Sequence, residues 1–318
     1  MTRRRIKLQV VGVLLSLAVL AVPARADHEI QKTLKLSPGG RFVLDSDAGS
    51  VTLNGTAESG ARIVITSNRD DIESLFNFNF EEEGGAARVT ARKTFHFGWP
   101  HNLQLHYEVR VPVQTQLELK TGGGSVKVYS IKGDSQLRTS GGSLEVSDFA
   151  GELRAETSGG SISLREVTGN TRADTSGGSI EANSIIGSLH AHTSGGPIRV
   201  ERVDGDISVD TSGGSIHIDD AGGRVVAKTS GGSVEVRFDR GNDKGGDLET
   251  SGGSVRATLD PKVNLNLDAS ASGGRVKSDL PITVVGQISS SNLRGTLGSG
   301  GAELRLHTSG GSVEIEAR

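Results

Sequence analysis

The sequence predicts an all-β fold: a parallel β-solenoid of 18-residue coils with a β-rich aromatic N-terminal cap. One observation is the phrase TSGGS, which recurs every eighteen residues and starts at Thr139, Thr157, Thr175, Thr193 (with Pro197 as its last residue), Thr211 and Thr229. The other is the alternation of apolar residues between the copies, a period of two that indicates strands and not helices. A fixed short period indicates one structural unit stacked many times.

Each unit contains two short strands. In one copy Leu144 and Val146 are the apolar positions of the first strand, and Leu153 and Ala155 those of the second. A lone apolar position and then a glycine stand between the two strands. Parallel stacking places equivalent positions about 4.8 Å apart in straight columns. We expect the glycines to lie where the chain bends, because glycine reaches positive φ without steric cost.

Two other all-β folds are alternatives to the solenoid. A three-sided left-handed helix also uses eighteen residues per coil, but it needs six-residue subunits, and the apolar columns do not recur at six. An antiparallel meander with TSGG as its hairpin turn would leave one face of a single sheet without a partner. The parallel solenoid is therefore the favoured prediction.

Residues 1–26 are predicted to be a secretory signal peptide. They contain a basic start, an apolar run from Val10 to Val22 and an A-x-A cleavage site at Ala24 to Ala26. The run is too short for a membrane span, so we expect no transmembrane anchor in the mature chain. Removing the signal removes five positive charges and leaves 30 Lys+Arg against 38 Asp+Glu, a net charge of −8. This charge argues against nucleic acid as a partner.

Residues 27–120 are predicted to form the N-terminal β-rich cap region, and residues 121–318 the TSGGS-repeat solenoid. The segment Phe42 to Gly55 already resembles one imperfect coil, with DAGS in place of SGGS. Glu81 to Gly85 is typical of a hairpin turn or a longer loop. The chain has no cysteine, so its stability comes from the sheets and not from disulfides.

Seven of the chain's eleven aromatic residues lie between Phe76 and Tyr107. One interpretation is that they cap the solenoid, since an uncovered end would pair with another chain. The other is that they form a contact surface for a glycan or a protein. The candidate contact residues are Phe76, Phe78, Phe80, Phe95, Phe97 and Trp99.

Three stretches together resemble a known bacterial family. They are YEVRVPVQTQLELKTGGGSVKVYSIKGD (Tyr107 to Asp134), the TSGGS coils and ASASGGRVKSDLPITV (Ala269 to Val284). The family consists of candidate adhesins, β-strand-repeat envelope proteins with a domain of unknown function, and the resemblance covers essentially the whole mature chain. It implies an exported, non-enzymatic solenoid and supplies no catalytic or binding residues.

Two irregular segments follow the regular repeats, and the second of them is bracketed by Pro261 and Pro281. Arg240 to Asp247 inserts three residues into one coil, and insertions in solenoids often emerge on the binding side. The chain closes on VEIEAR, and we expect the outward Glu314, Glu316 and Arg318 to keep a terminal edge strand from pairing onward.

The sequence lacks the common catalytic motifs G-x-S-x-G, the Walker loop and H-E-x-x-H. His190 and His192 share one strand face, and stacking would place His192 between Asp174 and Asp210. A solvated charge ladder explains these residues better than a metal site, so we expect no metal or cofactor. The adjacent acids at 219 and 220 are similar to the paired carboxylates of β-helical polysaccharide hydrolases.

The favoured functional prediction is an adhesin-like structural or binding protein in the periplasm or at the cell surface, with an unidentified envelope, glycan or protein ligand. One alternative is an accessory binding module in envelope-stress signalling. The other is a polysaccharide-acting β-helical enzyme, which should show clustered carboxylates along a groove.

Overall fold

The computed structural model describes residues 28–94, 102–284 and 289–318. These residues form a fourteen-stranded sheet (sheet A), a fifteen-stranded sheet (sheet B) and one short helix, α1 (Ile72–Leu75). The predicted all-β class is confirmed. The predicted signal peptide, residues 1–26, lies outside the described residues.

The strands are numbered in chain order. In spatial order, sheet A contains β1 (His28–Leu34), β4 (Ala61–Ser67), β7 (Leu105–Pro112), β3 (Ser50–Thr56), β9 (Val126–Lys132), β11 (Leu144–Ala150), β13 (Ile162–Thr168), β15 (Ile180–Ile186), β17 (Ile198–Val203), β19 (Ile216–Ala221), β21 (Val234–Phe238), β23 (Val255–Leu259), β29 (Val313–Ala317) and β25 (Val276–Ser278). Sheet B contains β26 (Thr283–Val284), β27 (Asn292–Leu297), β24 (Leu265–Ala271), β28 (Ala302–Thr308), β22 (Gly246–Thr250), β20 (Val225–Thr229), β18 (Ile207–Thr211), β16 (Leu189–Thr193), β14 (Thr171–Thr175), β12 (Leu153–Thr157), β10 (Ser135–Thr139), β8 (Gln116–Thr121), β2 (Arg41–Ser46), β6 (Ala86–Lys93) and β5 (Phe76–Glu83).

The repeats pair in parallel and in register. Leu144 of β11 lies opposite Ile162 of β13, eighteen residues on, and every regular repeat follows the same step. The step becomes twenty-one where Val225 pairs with Gly246, because the insertion Arg240 to Asp247 falls between them. Parallel pairing rules out the antiparallel meander for this part of the chain. The inward apolar columns of both sheets are buried and form one continuous core.

A column of residues with positive φ bends six repeat strands of sheet A, from β9 to β19. Asp148 has φ 53°, and it separates the inward Val146 from the inward Phe149. The equivalent residues are Ser130, Glu166, Ser184, Arg202 and Asp220, with φ between 53° and 60°. Non-glycine residues rarely adopt this conformation, so residue type alone does not predict the bend. The extra residue is what points Phe149 into the core.

The TSGGS phrase joins neighbouring coils through its threonine. Thr175 is 3% exposed, and its Oγ1 donates a 2.8 Å hydrogen bond to the carbonyl of Gly160 in the preceding coil. The same oxygen accepts the N–H of Gly178, 3.4 Å away. The threonines that donate to a glycine carbonyl of the neighbouring coil, here called the threonine ladder, are Thr121, Thr139, Thr157, Thr175, Thr193, Thr211, Thr229, Thr250 and Thr308.

The second turn glycine is required by close approach and not by positive φ. A Cβ on Gly142 would lie 2.0 Å from the carbonyl oxygen of Gly124, so the coils contact each other backbone to backbone. The expectation of positive φ holds for Gly151, at 142°, but is wrong for Gly142. The second glycine of the phrase is needed because a side chain would clash with the neighbouring coil, and not because its backbone adopts a positive φ.

The spatial order of the coils departs from chain order at both ends. The pair β2–β3 lies between β6–β7 and β8–β9, and the pair β28–β29 lies between β22–β23 and β24–β25. The coil predicted at Phe42 to Gly55 is confirmed, since Ser46 pairs with Thr121 of the first repeat.

The expectation of a terminal edge strand at VEIEAR is wrong, because β29 has a parallel partner on each side. Its charges also make specific contacts instead of facing solvent alone. Glu314 pairs with Arg256 at 2.7 Å, and Arg318 pairs with Asp220 at 2.6 Å.

Antiparallel strands complete both ends of the parallel stack. At the N-terminal end β5 pairs with β6, β4 with β7 and β1 with β4, and at the other end β27 pairs with β24 and β26. The predicted hairpin turn is confirmed: Gly84 and Gly85, at φ 58° and 81°, connect β5 to β6. Two positive φ values match the turn type that suits a two-residue hairpin.

We predict that Gly142→Ala destabilises the protein by about 1–3 kcal/mol, the usual cost of overpacking. The matched control is Gly141→Ala, because a Cβ there has no heavy atom within 4 Å. Urea unfolding midpoints compare the two variants. Equal midpoints would show that close approach of the coils does not set this position.

We also predict that cysteines at Ser251 and Ser309 form a disulfide, since their strands are adjacent and in register. Cysteines at Ser251 and Ser272 should not, because β28 separates their strands and two strand spacings are about 9.6 Å. The natural chain has no cysteine to interfere. Mass spectrometry of the two oxidised variants shows which of them contains a disulfide. A disulfide only between residues 251 and 272 would mean that the coils stack in chain order.

Candidate functional site

A concavity of about 580 Å³ lies at the N-terminal end of the stack. Four segments form it: the DAGS turn between β2 and β3, the end of β4, the start of β7, and the turn Gly122 to Gly124. We call it the end groove. The glycines leave one wall without side chains, while β4 and β7 supply the other.

A row of polar side chains crosses sheet A in the end groove. Strand register places His106 of β7 between Thr66 of β4 and Ser50 of β3. The Oγ of Ser50 and the Nδ1 of His106 are 2.8 Å apart. Burial lowers the pKa of His106, against the opposing effect of Glu108, and so favours the neutral imidazole.

The row continues a column of serines along the stack. In that column the N–H of a serine can donate to the Oγ of the serine in the preceding coil, as Ser143 does to Ser125 at 3.3 Å and Ser179 to Ser161 at 3.2 Å, and Pro197 interrupts the column. His106 therefore stands near the N-terminal end of this column, where it contacts Ser50.

Two carboxamides and an anchored carboxylate complete the groove's polar lining. The Oδ1 of Asn68 accepts the N–H of Gln104 at 2.9 Å, and its Nδ2 donates to the carbonyl of Asn102 at 2.7 Å. Asp47 accepts hydrogen bonds from the Arg92 guanidinium at 3.2 Å and from a backbone N–H at 3.0 Å. Arg92 also bonds to Asp45 and lowers the pKa of that carboxyl.

The structure describes three of the six aromatic residues named as a candidate contact surface. Phe76 is buried, whereas Phe78 and Phe80 are half-buried against the end of the core. The ring centroids of Phe76 and Phe78 are 6.0 Å apart, and the Nζ of Lys32 lies 5.7 Å from the centroid of Phe80. The other three, Phe95, Phe97 and Trp99, lie outside the described residues.

The histidines of β16 belong to a charge ladder on the outer face of sheet B. His192 lies between Asp174 and Asp210, as the sequence predicted, and its Nδ1 contacts Asp210. Asp174 is already bonded to Arg172 at 2.7 Å. Within the three described ranges, no group of three or more His, Cys, Asp or Glu is placed to hold a metal ion.

The acids at positions 219 and 220 are held by arginines. Asp219 lies 3.1 Å from Arg237, and Asp220 lies 2.6 Å from Arg318. His217 also contacts Asp219, at 3.0 Å. Ion pairing of both carboxylates does not resemble the free acid and base that glycoside hydrolysis requires.

The insertion after β21 is bound to the body of the fold. Asn242 is 6% exposed, and its Nδ2 donates to the carbonyls of Ala221 at 2.6 Å and Gly223 at 2.9 Å. The side chain of Asn242 thus supplies donors to two carbonyls of the preceding corner. This contact gives the insertion a structural role.

Sequence reasoning missed the pair of Ser50 and His106. Aligning DAGS with TGGGS would have placed Ser50 on the serine column. No sequence signal places His106 beside it, because that contact depends on β7 pairing with β3 across an intervening segment.

The chain is similar to several proteins of known structure. Ten chains of solved structures match it. A candidate adhesin from Bacteroides fragilis is 9% identical over 92% of this chain and 99% of its own, with a TM-score of 0.38. A candidate lipid-binding protein from Parabacteroides distasonis is 11% identical over 91% of this chain and 97% of its own, with a TM-score of 0.37. A candidate cell adhesion protein from Clostridium sporogenes is 10% identical over 92% of this chain and 100% of its own, with a TM-score of 0.28.

No curated protein matches the chain. Across the described ranges, no helix has the length and apolar character that crossing a bilayer requires. The profile of the family described as Toastrack DUF4097 matches residues 42–316, which is most of the sequence. The chain therefore belongs to the Toastrack DUF4097 family, in agreement with the resemblance seen in its repeats.

Proposed function

We propose that this protein is an exported, non-enzymatic β-solenoid of the bacterial envelope that acts as an adhesin-like binding scaffold. Its coils of eighteen residues serve as the scaffold, and its N-terminal end serves as the contact surface. The observation that carries the proposal is the uneven distribution of interactions along the stack. In the repeats, the threonine of the recurring phrase faces inward and is hydrogen-bonded, while outward charges such as Arg138 and Glu156 pair with each other.

The N-terminal end differs from the repeats in two ways. It presents the half-buried rings of Phe78 and Phe80 on an edge strand, and it contains the end groove with its neutral polar side chains. Partly exposed aromatic rings and concavities are each typical of binding surfaces. Repeats that stack without a bound group are well suited to hold such a surface away from a membrane or a wall.

We further propose that the same end strands act as a cap. The backbone of Lys35 after β1 donates to Glu82 of β5 at 2.7 Å, and Lys32 covers the ring of Phe80. These contacts tie the edge strand of sheet A to that of sheet B. Phe76 would then serve the cap, and Phe78 and Phe80 would serve both cap and contact.

The test uses the mature chain coupled to beads and presented to purified bacterial envelope fragments. Phe80→Ala should reduce adhesion while lowering stability less than Phe76→Ala, for which truncation of a buried ring should cost about 3–5 kcal/mol. The control is Ile186→Ala, because Ile186 is 59% exposed and lies in the middle of the stack. Adhesion should be unchanged in this control.

Two outcomes would contradict the proposal. One is a Phe80→Ala chain that adheres as well as the Ile186→Ala chain. The other is a chain that stays in the cytoplasmic fraction when cells are separated and probed with an antibody.

A further inference from the structure

The end groove presents side chains that can both donate and accept hydrogen bonds. The hydroxyls of Ser50 and Thr66, the imidazole of His106 and the carboxamides of Asn68 and Gln104 all line it. Each of these groups carries donor and acceptor capacity without a formal charge when the imidazole is neutral. A hydroxyl group also both donates and accepts, so a ligand rich in hydroxyls can hydrogen-bond these side chains either as donor or as acceptor.

The charge of the groove excludes strongly ionic ligands. Among its described lining residues, Asp47 is the single acid and no lysine or arginine is present. Asp47 is also occupied, since Arg92 and a backbone N–H both bond to it. An anionic ligand would therefore find no free cation in the lining, and a cationic ligand would have to compete with Arg92 for the carboxylate.

The remaining lining supplies apolar contact and open space. Leu105 is buried and Leu103 is half-buried behind the polar row. On the facing wall, a Cβ placed on Gly123 would have no heavy atom within 4 Å. The groove thus combines apolar leucines, uncharged side chains that both donate and accept hydrogen bonds, and a glycine turn that leaves open space. This combination suits a flat molecule that carries both hydroxyls and C–H groups.

We propose that the end groove binds a neutral saccharide, with Ser50, His106 and Asn68 as the residues that hydrogen-bond its hydroxyls. The Asn68 carboxamide retains one N–H and one oxygen lone pair for this, beyond those bonded to the backbone of Asn102 and Gln104. This inference rests on the proposed binding function and specifies the chemistry of its ligand. The rings of Phe78 and Phe80 contact the rest of the envelope independently of this groove.

Sheet B contains a similar pair that serves as a comparison. The Oγ of Ser270 and the Nδ1 of His307 are also 2.8 Å apart, across paired strands. Glu249 lies opposite His307 in the neighbouring strand, so this pair is flanked by a charge. A serine–histidine contact alone therefore does not define the proposed site. The site is defined by the uncharged polar side chains that surround Ser50 and His106 in the end groove.

The experiment applies the full mature chain to an array of immobilised neutral oligosaccharides built from glucose, galactose, mannose or N-acetylglucosamine. Polygalacturonate and heparin on the same array serve as anionic probes. At least one neutral class should bind, and His106→Ala and Asn68→Ala should each weaken that binding about tenfold or more. His307→Ala should bind like the parent.

A second pair of variants blocks the groove without touching its polar row. Gly123→Leu places a side chain into the open space of the groove, whereas Gly141→Leu makes the same change one coil further on, where a Cβ also meets nothing. We expect loss of saccharide binding in the first variant and none in the second. Thermal melts of all variants show whether any loss comes from unfolding, and a destabilised His106→Ala leaves the glycine pair to decide.

The outcomes separate this inference from the proposed function. Binding to anionic probes alone, or to no saccharide while beads still adhere to envelope fragments, overturns the inference and leaves the contact function standing. Neutral binding that survives Gly123→Leu places the ligand elsewhere and also overturns it. Failure of both array and bead adhesion contradicts the inference and the proposed function together.

Discussion

The hydrogen bond from each threonine of the repeat to a glycine carbonyl of the preceding coil is the interaction on which the stack depends. Its geometry is nearly constant, with distances of 2.8 Å at Thr139, Thr157 and Thr175. It requires a buried hydroxyl on one coil and a bare glycine on the other, because a side chain at Gly160 would meet the carbonyl of Gly142 at 2.1 Å. Threonine and the second glycine of the phrase are thus two halves of one contact.

The same contact explains why chain order is free to vary at the ends. Thr308 donates to Gly253 at 2.6 Å although 55 residues separate them, and Thr121 donates to Gly49 at 2.8 Å across 72 residues. The contact needs only a threonine on one coil and a glycine carbonyl on the coil stacked against it. The two coils do not have to be consecutive in the chain. The last coil can therefore enter between two earlier ones, and it joins the β24–β27 segment to the rest of the stack through pairing on both sides.

Because the threonine hydroxyls of the phrase are buried and hydrogen-bonded between coils, they are not available to a ligand. The outward columns of the repeats consist largely of charged and polar residues in partnerships such as Arg172 with Asp174. Surface pairs of this kind contribute little to stability. The N-terminal end differs because antiparallel strands β4 and β5 interrupt the repeat there, and the end groove and the half-buried rings occur together with that interruption.

Much of the fold could be predicted because columns repeat. The apolar positions Leu144, Val146, Phe149 and Leu153 are all buried, as their spacing indicated. The bend at Asp148 could not be predicted, since residue type at that column varies from serine to arginine and only the backbone is shared. The spatial order of the coils at the two ends could not be predicted either, because the sequence reasoning assumed that coils consecutive in the chain are adjacent in space.

The candidate site was predicted less well than the fold. The aromatic alternation identified β5 as unusual, and Phe76 is buried while Phe78 and Phe80 are not fully so. The groove itself was missed, because its two sides come from segments that pair only after β2–β3 has entered between β6–β7 and β8–β9. A site formed by such an insertion has no local sequence signature.

The most direct test of the central claim is the unfolding free energy of Thr175→Val compared with that of Ser176→Ala. Valine keeps the shape of threonine but leaves the carbonyl of Gly160 and the N–H of Gly178 without their partner, so a loss of about 1–3 kcal/mol is expected in urea unfolding. Ser176 is the exposed neighbour, and its truncation should change stability by less than about 0.5 kcal/mol. A Thr175→Val protein as stable as the Ser176→Ala protein would contradict the claim that the threonine ladder holds the coils together.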